Sequence, residues 1–158
     1  MDLILWRHAE AIELPENLAD NAAVDLTRTL TARGEKQALR MGAWLDRQLP
    51  ETAKILVSPA VRAQATARAM GRKFQTLAGL SPSATAVELL VLSQWPQAKQ
   101  AVVLIGHQPG LGRFIAQLLA LQTEDCAIKK GAVWWLRSRT RDALQQTVLV
   151  TVQSPEFL

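Results

Sequence analysis

The chain has two histidines, His8 and His107, and each stands immediately beyond an apolar run. Leu3-Ile4-Leu5-Trp6 leads into Arg7-His8, and Val102-Val103-Leu104-Ile105-Gly106 leads into His107. Two further segments carry arginine: Ser58-Pro59-Ala60-Val61-Arg62 follows the run Lys54-Ile55-Leu56-Val57, and Arg28 closes a polar stretch after the first histidine. An imidazole serves as nucleophile or as acid-base group. A guanidinium offers planar paired donors that match phosphate oxygens and stays charged at any ordinary pH. Imidazoles and guanidiniums brought together make a pocket for a phosphoryl group. Nearby arginines also favour the neutral form of a histidine, which leaves a lone pair free to attack phosphorus.

The elements that must hold these residues can be read from the hydrophobic pattern. Short apolar runs bounded by polar residues predict buried strands at 2–6, 54–57 and 101–106. Both histidines then fall at carboxyl ends of strands, where open α/β sheets bind their ligands. Thr31 predicts the N-cap of a helix to about residue 48, with Ala38, Met41, Gly42, Leu45 and Leu49 on its buried face. Ser58 as cap, with Pro59 in the first helical position, predicts a helix to about Phe74 that carries Arg62 in its first turn. Thr85 and Glu88 have capping-box spacing, Pro109 opens another helix, and 132–137 and 145–152 read as a final hairpin at the sheet edge. Residues 9–30 read as one long loop, of a length that usually serves a function. Strands alternating with helices predict an α/β fold: one domain over 1–158, a three-layer sandwich with helices on both faces of a mostly parallel central sheet.

Composition narrows the partners. With 49% hydrophobic and 20% charged residues among 158, the chain reads as an ordinary globular protein. No apolar run approaches the roughly 20 residues of a membrane span. No signal-like segment opens the chain, and the lone Cys126 cannot form an internal disulfide, so a cytoplasmic monomer is expected. Cys126 reads as a small core residue. Trp134 and Trp135 point to opposite faces of a strand, and Trp44 and Trp95 read as packing residues. The net charge of +4 is spread among scattered arginines rather than stacked in a stripe with aromatics, which argues against nucleic acid as partner. It suits an anionic substrate or an acidic protein surface.

Arg7-His8, Ser58-Pro59-x-x-Arg62 and Gly106-His107 together resemble the histidine phosphatase superfamily, whose fold is phosphoglycerate mutase-like. The segments Arg28-Thr29-Leu30-Thr31-Ala32-Arg33-Gly34 and Gly106-His107-Gln108-Pro109 are closer to its short branch, the SixA-type phosphohistidine phosphatases. The resemblance runs from residue 3 to about 137. It implies that His8 is a nucleophile that becomes phosphorylated, and that Arg7 and Arg62 clamp the phosphoryl oxygens. It further implies that His107 donates a hydrogen bond to the transferring group, that Arg28 closes the pocket from the long loop, and that no metal or other cofactor is needed.

Two departures from the family pattern bear on the substrate. Ala9 replaces a frequent glycine. Gly79, in Ala78-Gly79-Leu80-Ser81-Pro82, stands where many members carry a glutamate that protonates an alcohol leaving group. Such an acid is worth about 10²–10⁴ in rate for an ester. Phosphohistidine releases an imidazole of ordinary pKa about 6.5, a far better leaving group. The resulting expectation is removal of phosphate from phosphohistidine on a protein partner. A second reading keeps the chemistry for a small phosphate ester or nucleotide, with Glu10, two residues from His8, binding substrate and donating the proton. A third is a pocket that binds phosphate without turnover, for which a second histidine has no use.

Overall fold

The apolar runs before the two histidines become adjacent central strands of a six-stranded sheet in a computed structural model that describes residues 1–158. The elements are β1 (Asp2–Arg7), α1 (Ala22–Leu26), α2 (Ala32–Gln48), β2 (Lys54–Val57), α3 (Val61–Arg68), β3 (Gln75–Thr76), α4 (Ala86–Ser93), β4 (Val102–Gly106), α5 (Gly110–Leu118), β5 (Val133–Arg141) and β6 (Leu144–Gln153). Across the sheet the order is β3-β2-β4-β1-β5-β6. The first four are parallel, and β5 and β6 join them as an antiparallel hairpin. The expected three-layer α/β architecture is present.

Successive side chains of a strand point to opposite faces, so each central strand feeds two cores. Ile4, Trp6, Ile55, Val57, Val103 and Ile105 share one buried cluster with Met41 and Leu45 of α2 and Ala63 and Ala67 of α3. Leu3, Leu5, Leu56 and Leu104 share the other with Leu89 of α4 and Leu111, Phe114 and Ile115 of α5. Helices therefore cover both faces. Trp135 belongs to the first cluster while Trp134 packs against the second, as strand alternation requires. Trp44, Trp95 and the half-buried Cys126 also pack against these clusters. No helix is long and apolar enough to cross a membrane.

Three expectations need correction. Ser58 does not cap a helix with Pro59 in its first turn: α3 begins at Val61, with Ala60 as its N-cap. The Ser58 N–H still donates to Ile105 O at 3.0 Å, so the chain stays extended one residue past β2. Nor does α3 reach Phe74. It stops at Arg68, and Gly71 takes the left-handed φ of +76° that ends the turn. Residues 9–30 are not one structureless loop. Asn21 caps the short α1 through a 3.0 Å bond from Val24 N–H, and Ala11 pairs with Leu30 to close the segment at its base.

That base explains the Arg-x-Leu-Thr-x-x-Gly spacing. Leu30 buries itself with Ala9 and Ala38, Thr31 caps α2 by accepting from Gly34 N–H at 2.9 Å, and Glu10 O accepts from Thr31 N–H at 3.0 Å. A Cβ at position 34 would lie 1.9 Å from Glu10 O. Only glycine lets α2 start against the strand that carries His8. Gly34→Ala is expected to destabilise the protein by about 1–3 kcal/mol, read as a lower urea midpoint with an unchanged slope.

Candidate active site

β2, β4 and β1 lie side by side, and one residue past the end of each stands a polar side chain: Ser58, His107 and His8. The pairing continues through these positions, with His8 N–H donating to Gly106 O at 3.1 Å. Arg7 and Gly106 are opposite each other in the register. Strand pairing alone brings the two imidazoles to a centroid separation of 5.0 Å. Both are buried.

Arg62, 3% exposed, links them from the first turn of α3. Its Nε–H donates to His8 Nε2 at 3.2 Å, and its Nη2 faces His107 Nδ1 at 3.3 Å. A guanidinium has no lone pair to accept with, so both ring nitrogens facing it must be acceptors. The proton of each ring then lies on the other nitrogen. His8 Nδ1–H donates to Ala9 O at 2.8 Å, and His107 Nε2–H donates to Ser58 Oγ at 2.7 Å. His8 thus points its Nε2 lone pair into the arginine cluster.

Burial is the main reason both rings stay neutral. It pushes the pKa of His8 down from 6.5 to about 3, with Arg62, Arg7 and Arg28 pushing the same way against the Ala9 hydrogen bond. Burial, His8 and Arg62 push His107 down to about 2. The arginines contribute as expected, but desolvation outweighs them.

The remaining residues differ in how they enter. Arg7 donates through Nη1 to Ile128 O at 2.6 Å, and its Nε is buried without a hydrogen-bond partner. Arg28 comes from the long connection, donating to Ile12 O at 2.7 Å and to Asp25 Oδ1 at 3.1 Å. Asp25 was not anticipated: its Oδ2 accepts from Arg62 Nη2 at 2.9 Å and its backbone carbonyl from Arg62 Nη1 at 2.7 Å. Burial alone would raise the Asp25 carboxyl, but hydrogen bonds from Arg62 and Arg28 prevail and hold it below the usual carboxylate range. Glu10 stands apart. Its carboxylate accepts from Thr31 Oγ1 at 2.9 Å and lies 3.8 Å from Arg33, with no bond to either histidine. No grouping of three or more histidines, cysteines and carboxylates that could hold a metal ion is present.

Residues 3–84 match the model of the histidine phosphatase superfamily, branch 1. The phosphohistidine phosphatase SixA homolog of Haemophilus influenzae is 31% identical over 135 residues, which cover 75% of this chain and 77% of that protein. The chain belongs to the histidine phosphatase superfamily. Among solved structures, the protein histidine phosphatase SixA complexed with tungstate superposes with a TM-score of 0.73 at 26% identity, over 99% of both chains. A phosphoserine phosphatase from Entamoeba histolytica shares the fold at a TM-score of 0.70 and 17% identity, over 99% of this chain and 98% of that one.

Within this superfamily fold, Ser58 and Thr66 hold parts that the motifs only name. Thr66 is fully buried on α3, where it accepts from Ala9 N–H at 3.0 Å and donates to Arg62 O at 2.8 Å. It ties the backbone after the candidate nucleophile to the helix that carries Arg62. A polar residue among Ala63, Ala67 and Met70 on a buried helical face was the available signal. For Asp25 it was the three-residue spacing to Arg28.

Two measurements test this electrostatic arrangement. Both histidines have folded pKa values below the ordinary 6.5, so on acidification the unfolded chain takes up their protons first. Their contribution is therefore fully retained above about pH 6.5 and lost as pH falls towards about 3. Each adds up to about 1.4 kcal/mol per pH unit to that loss. Urea midpoints at about pH 7.5, 5.5 and 4.5 are expected to fall steeply, and a flat profile would contradict the assignment. Asp25 competes with any incoming anion for donors on Arg62 and Arg28. Asp25→Asn is expected to tighten inorganic phosphate binding about tenfold by calorimetry.

Proposed function

We propose that the chain is a metal-independent phosphatase that removes phosphate from phosphohistidine on a protein partner, through a covalent intermediate on His8. The observation that carries this reading is the state of Asp25. This carboxylate, which hydrogen-bonds two of the site's arginines, is held ionised and is a poor proton donor near neutral pH. An alkoxide leaving from an ester needs such a donor; an imidazole leaving from phosphohistidine does not.

Three other positions point the same way. The turn Ala78–Leu80 follows β3 and has Gly79 at its centre, while Glu88 is engaged in the capping box with Thr85. Glu10, the acid of the ester reading, is turned to Thr31 and Arg33. The fold shared with a phosphoserine phosphatase leaves the substrate open. The Haemophilus relative is a phosphohistidine phosphatase homolog, which supports the first reading.

In the proposed reaction the His8 Nε2 lone pair attacks phosphorus and the bond to the substrate imidazole breaks. Arg7, Arg62 and Arg28 take the phosphoryl oxygens, so that part of Arg62's bonding passes from His8 and Asp25 to the substrate. The substrate ring, protonated by solvent on its distal nitrogen, departs with the electron pair of the N–P bond as neutral imidazole, so no acid of the enzyme is called on. Phosphorylation on Nε2 makes the His8 ring cationic, and the Nδ1–H bond to Ala9 O stabilises that charge. Water then attacks the same phosphorus, releasing inorganic phosphate and restoring His8. His107 has its Nε2–H on Ser58 Oγ and its Nδ1 facing Arg62, so the donation to the transferring group that the resemblance implies requires the Ser58 bond to be exchanged for one to a phosphoryl oxygen.

The test compares phosphate release from a phosphohistidine-bearing protein and from p-nitrophenyl phosphate without added metal. The protein substrate is expected to turn over faster, with an acid-labile phosphoenzyme. His8→Ala is expected to lose at least about three orders of magnitude in rate. Efficient His8-dependent turnover of the ester alone would select the small-phosphomonoester reading instead.

A further inference from the structure

A cleft of about 510 Å³ opens beside the site and is lined by Arg33, Lys36, Arg40, Lys129 and Lys130. Both of its walls are fastened to the segment that carries His8. On one side Gln37 Oε1 of α2 accepts from Glu10 N–H at 3.0 Å. On the other, Gly131 N–H, next to the lysine pair, donates to His8 O at 3.0 Å. The cleft therefore begins within two residues of the candidate nucleophile.

Its charge is poorly balanced within the chain. Arg33, Lys36 and Arg40 follow one another at three- and four-residue spacing on α2, so like charges face each other along the helix. Arg33 and Lys36 also lie near the N-terminus of α2, where the helix dipole disfavours cations. Lys36 and Arg40 have no acidic residue three or four places away and form no ion pair, whereas Arg33 pairs with Glu10, Lys129 with Glu156 and Lys130 with Glu13. An anionic partner would relieve what the fold leaves repelling. No aromatic side chain lines the cleft, and Glu10 and Glu156 stand in its wall. Both features are poor for nucleic acid and suit separate carboxylates interleaved among cations.

We propose that this cleft docks an acidic segment of the phosphorylated protein partner, adjacent in that partner to its phosphohistidine. This rests on the phosphohistidine reading above and assigns the partner's surface chemistry. The ridge Arg33-Lys36-Arg40 with Lys129-Lys130 supplies affinity, and the arginine pocket around His8 supplies chemistry.

Two phosphohistidine peptides of equal length test it, one with glutamates flanking the histidine and one with glutamines. The protein is expected to prefer the glutamate peptide about tenfold in kcat/KM, through KM, and to lose the preference in about 0.5 M salt. Lys36→Glu with Arg40→Glu, both at exposed positions, is expected to abolish the preference while leaving hydrolysis of phosphoramidate itself unchanged. Absence of a preference, or its survival in the double variant, overturns the proposal. If neither peptide nor phosphoramidate is hydrolysed, the phosphohistidine reading fails, but docking is still read by anisotropy of the unphosphorylated, labelled glutamate peptide. Binding that the double variant loses supports the cleft. Binding that it keeps, or equal affinity for a single-stranded oligonucleotide, overturns it.

Discussion

A guanidinium almost wholly withdrawn from water governs this site. Arg62 is 3% exposed, and a buried charge is costly unless its donors are satisfied. Two imidazoles and Asp25 satisfy them. Because a guanidinium is a permanent donor, the nitrogen of each ring that faces it must accept. The two tautomers, and with them the lone pair on His8 Nε2, follow from one cation that cannot switch off, while Asp25 is held ionised by that cation together with Arg28. Residues outside the site serve the same end. Thr66 anchors the Arg62 carbonyl to the backbone after His8, and Ser58 takes the proton side of His107.

The family match and the fold agree on what kind of scaffold this is, and the local geometry speaks to how it differs from others. A site with three arginines and no free acid is suited to a substrate whose leaving group needs little help. A phosphorylated imidazole is such a group. Away from this site, α2 carries Lys36 and Arg40, cations with no acidic residue three or four places along the helix.

Much of this was legible before any coordinates, and the pattern of success has a physical basis. Strands announced themselves because runs such as Leu3-Ile4-Leu5-Trp6 are buried on both faces and need no alternation. With three such strands adjacent and parallel, the residues that follow them had to converge, and His8, Arg62 and His107 do so. What escaped was local. Ser58-Pro59 has the composition of a helix start, yet the serine N–H remains in the strand ladder, and its hydroxyl accepts from His107 Nε2–H and from Ala60 N–H, just ahead of α3. The five-residue α1 is too short for periodicity to register. Asp25 was hidden with it, because its role depends on a contact 37 residues along the chain. Glu10 is close to His8 in sequence but is drawn to Thr31 by the close approach that Gly34 permits.

The hairpin of β5 and β6 has a mechanical meaning beyond completing the sheet. By pairing with β1 on the side opposite β4, β5 makes the strand that ends at His8 an interior one, hydrogen-bonded along both edges. Immediately past His8 the chain enters its long connection, whose base is closed by the Ala11–Leu30 pair and by the bonds from Ile12 N–H to Thr29 O and from Thr31 N–H to Glu10 O. His8 Nε2 thus stands where a strand clamped along both edges meets a connection that is itself tied back to Arg62 through Asp25. The imidazole is thereby held between two fixed supports, one supplied by the sheet and one by the connection.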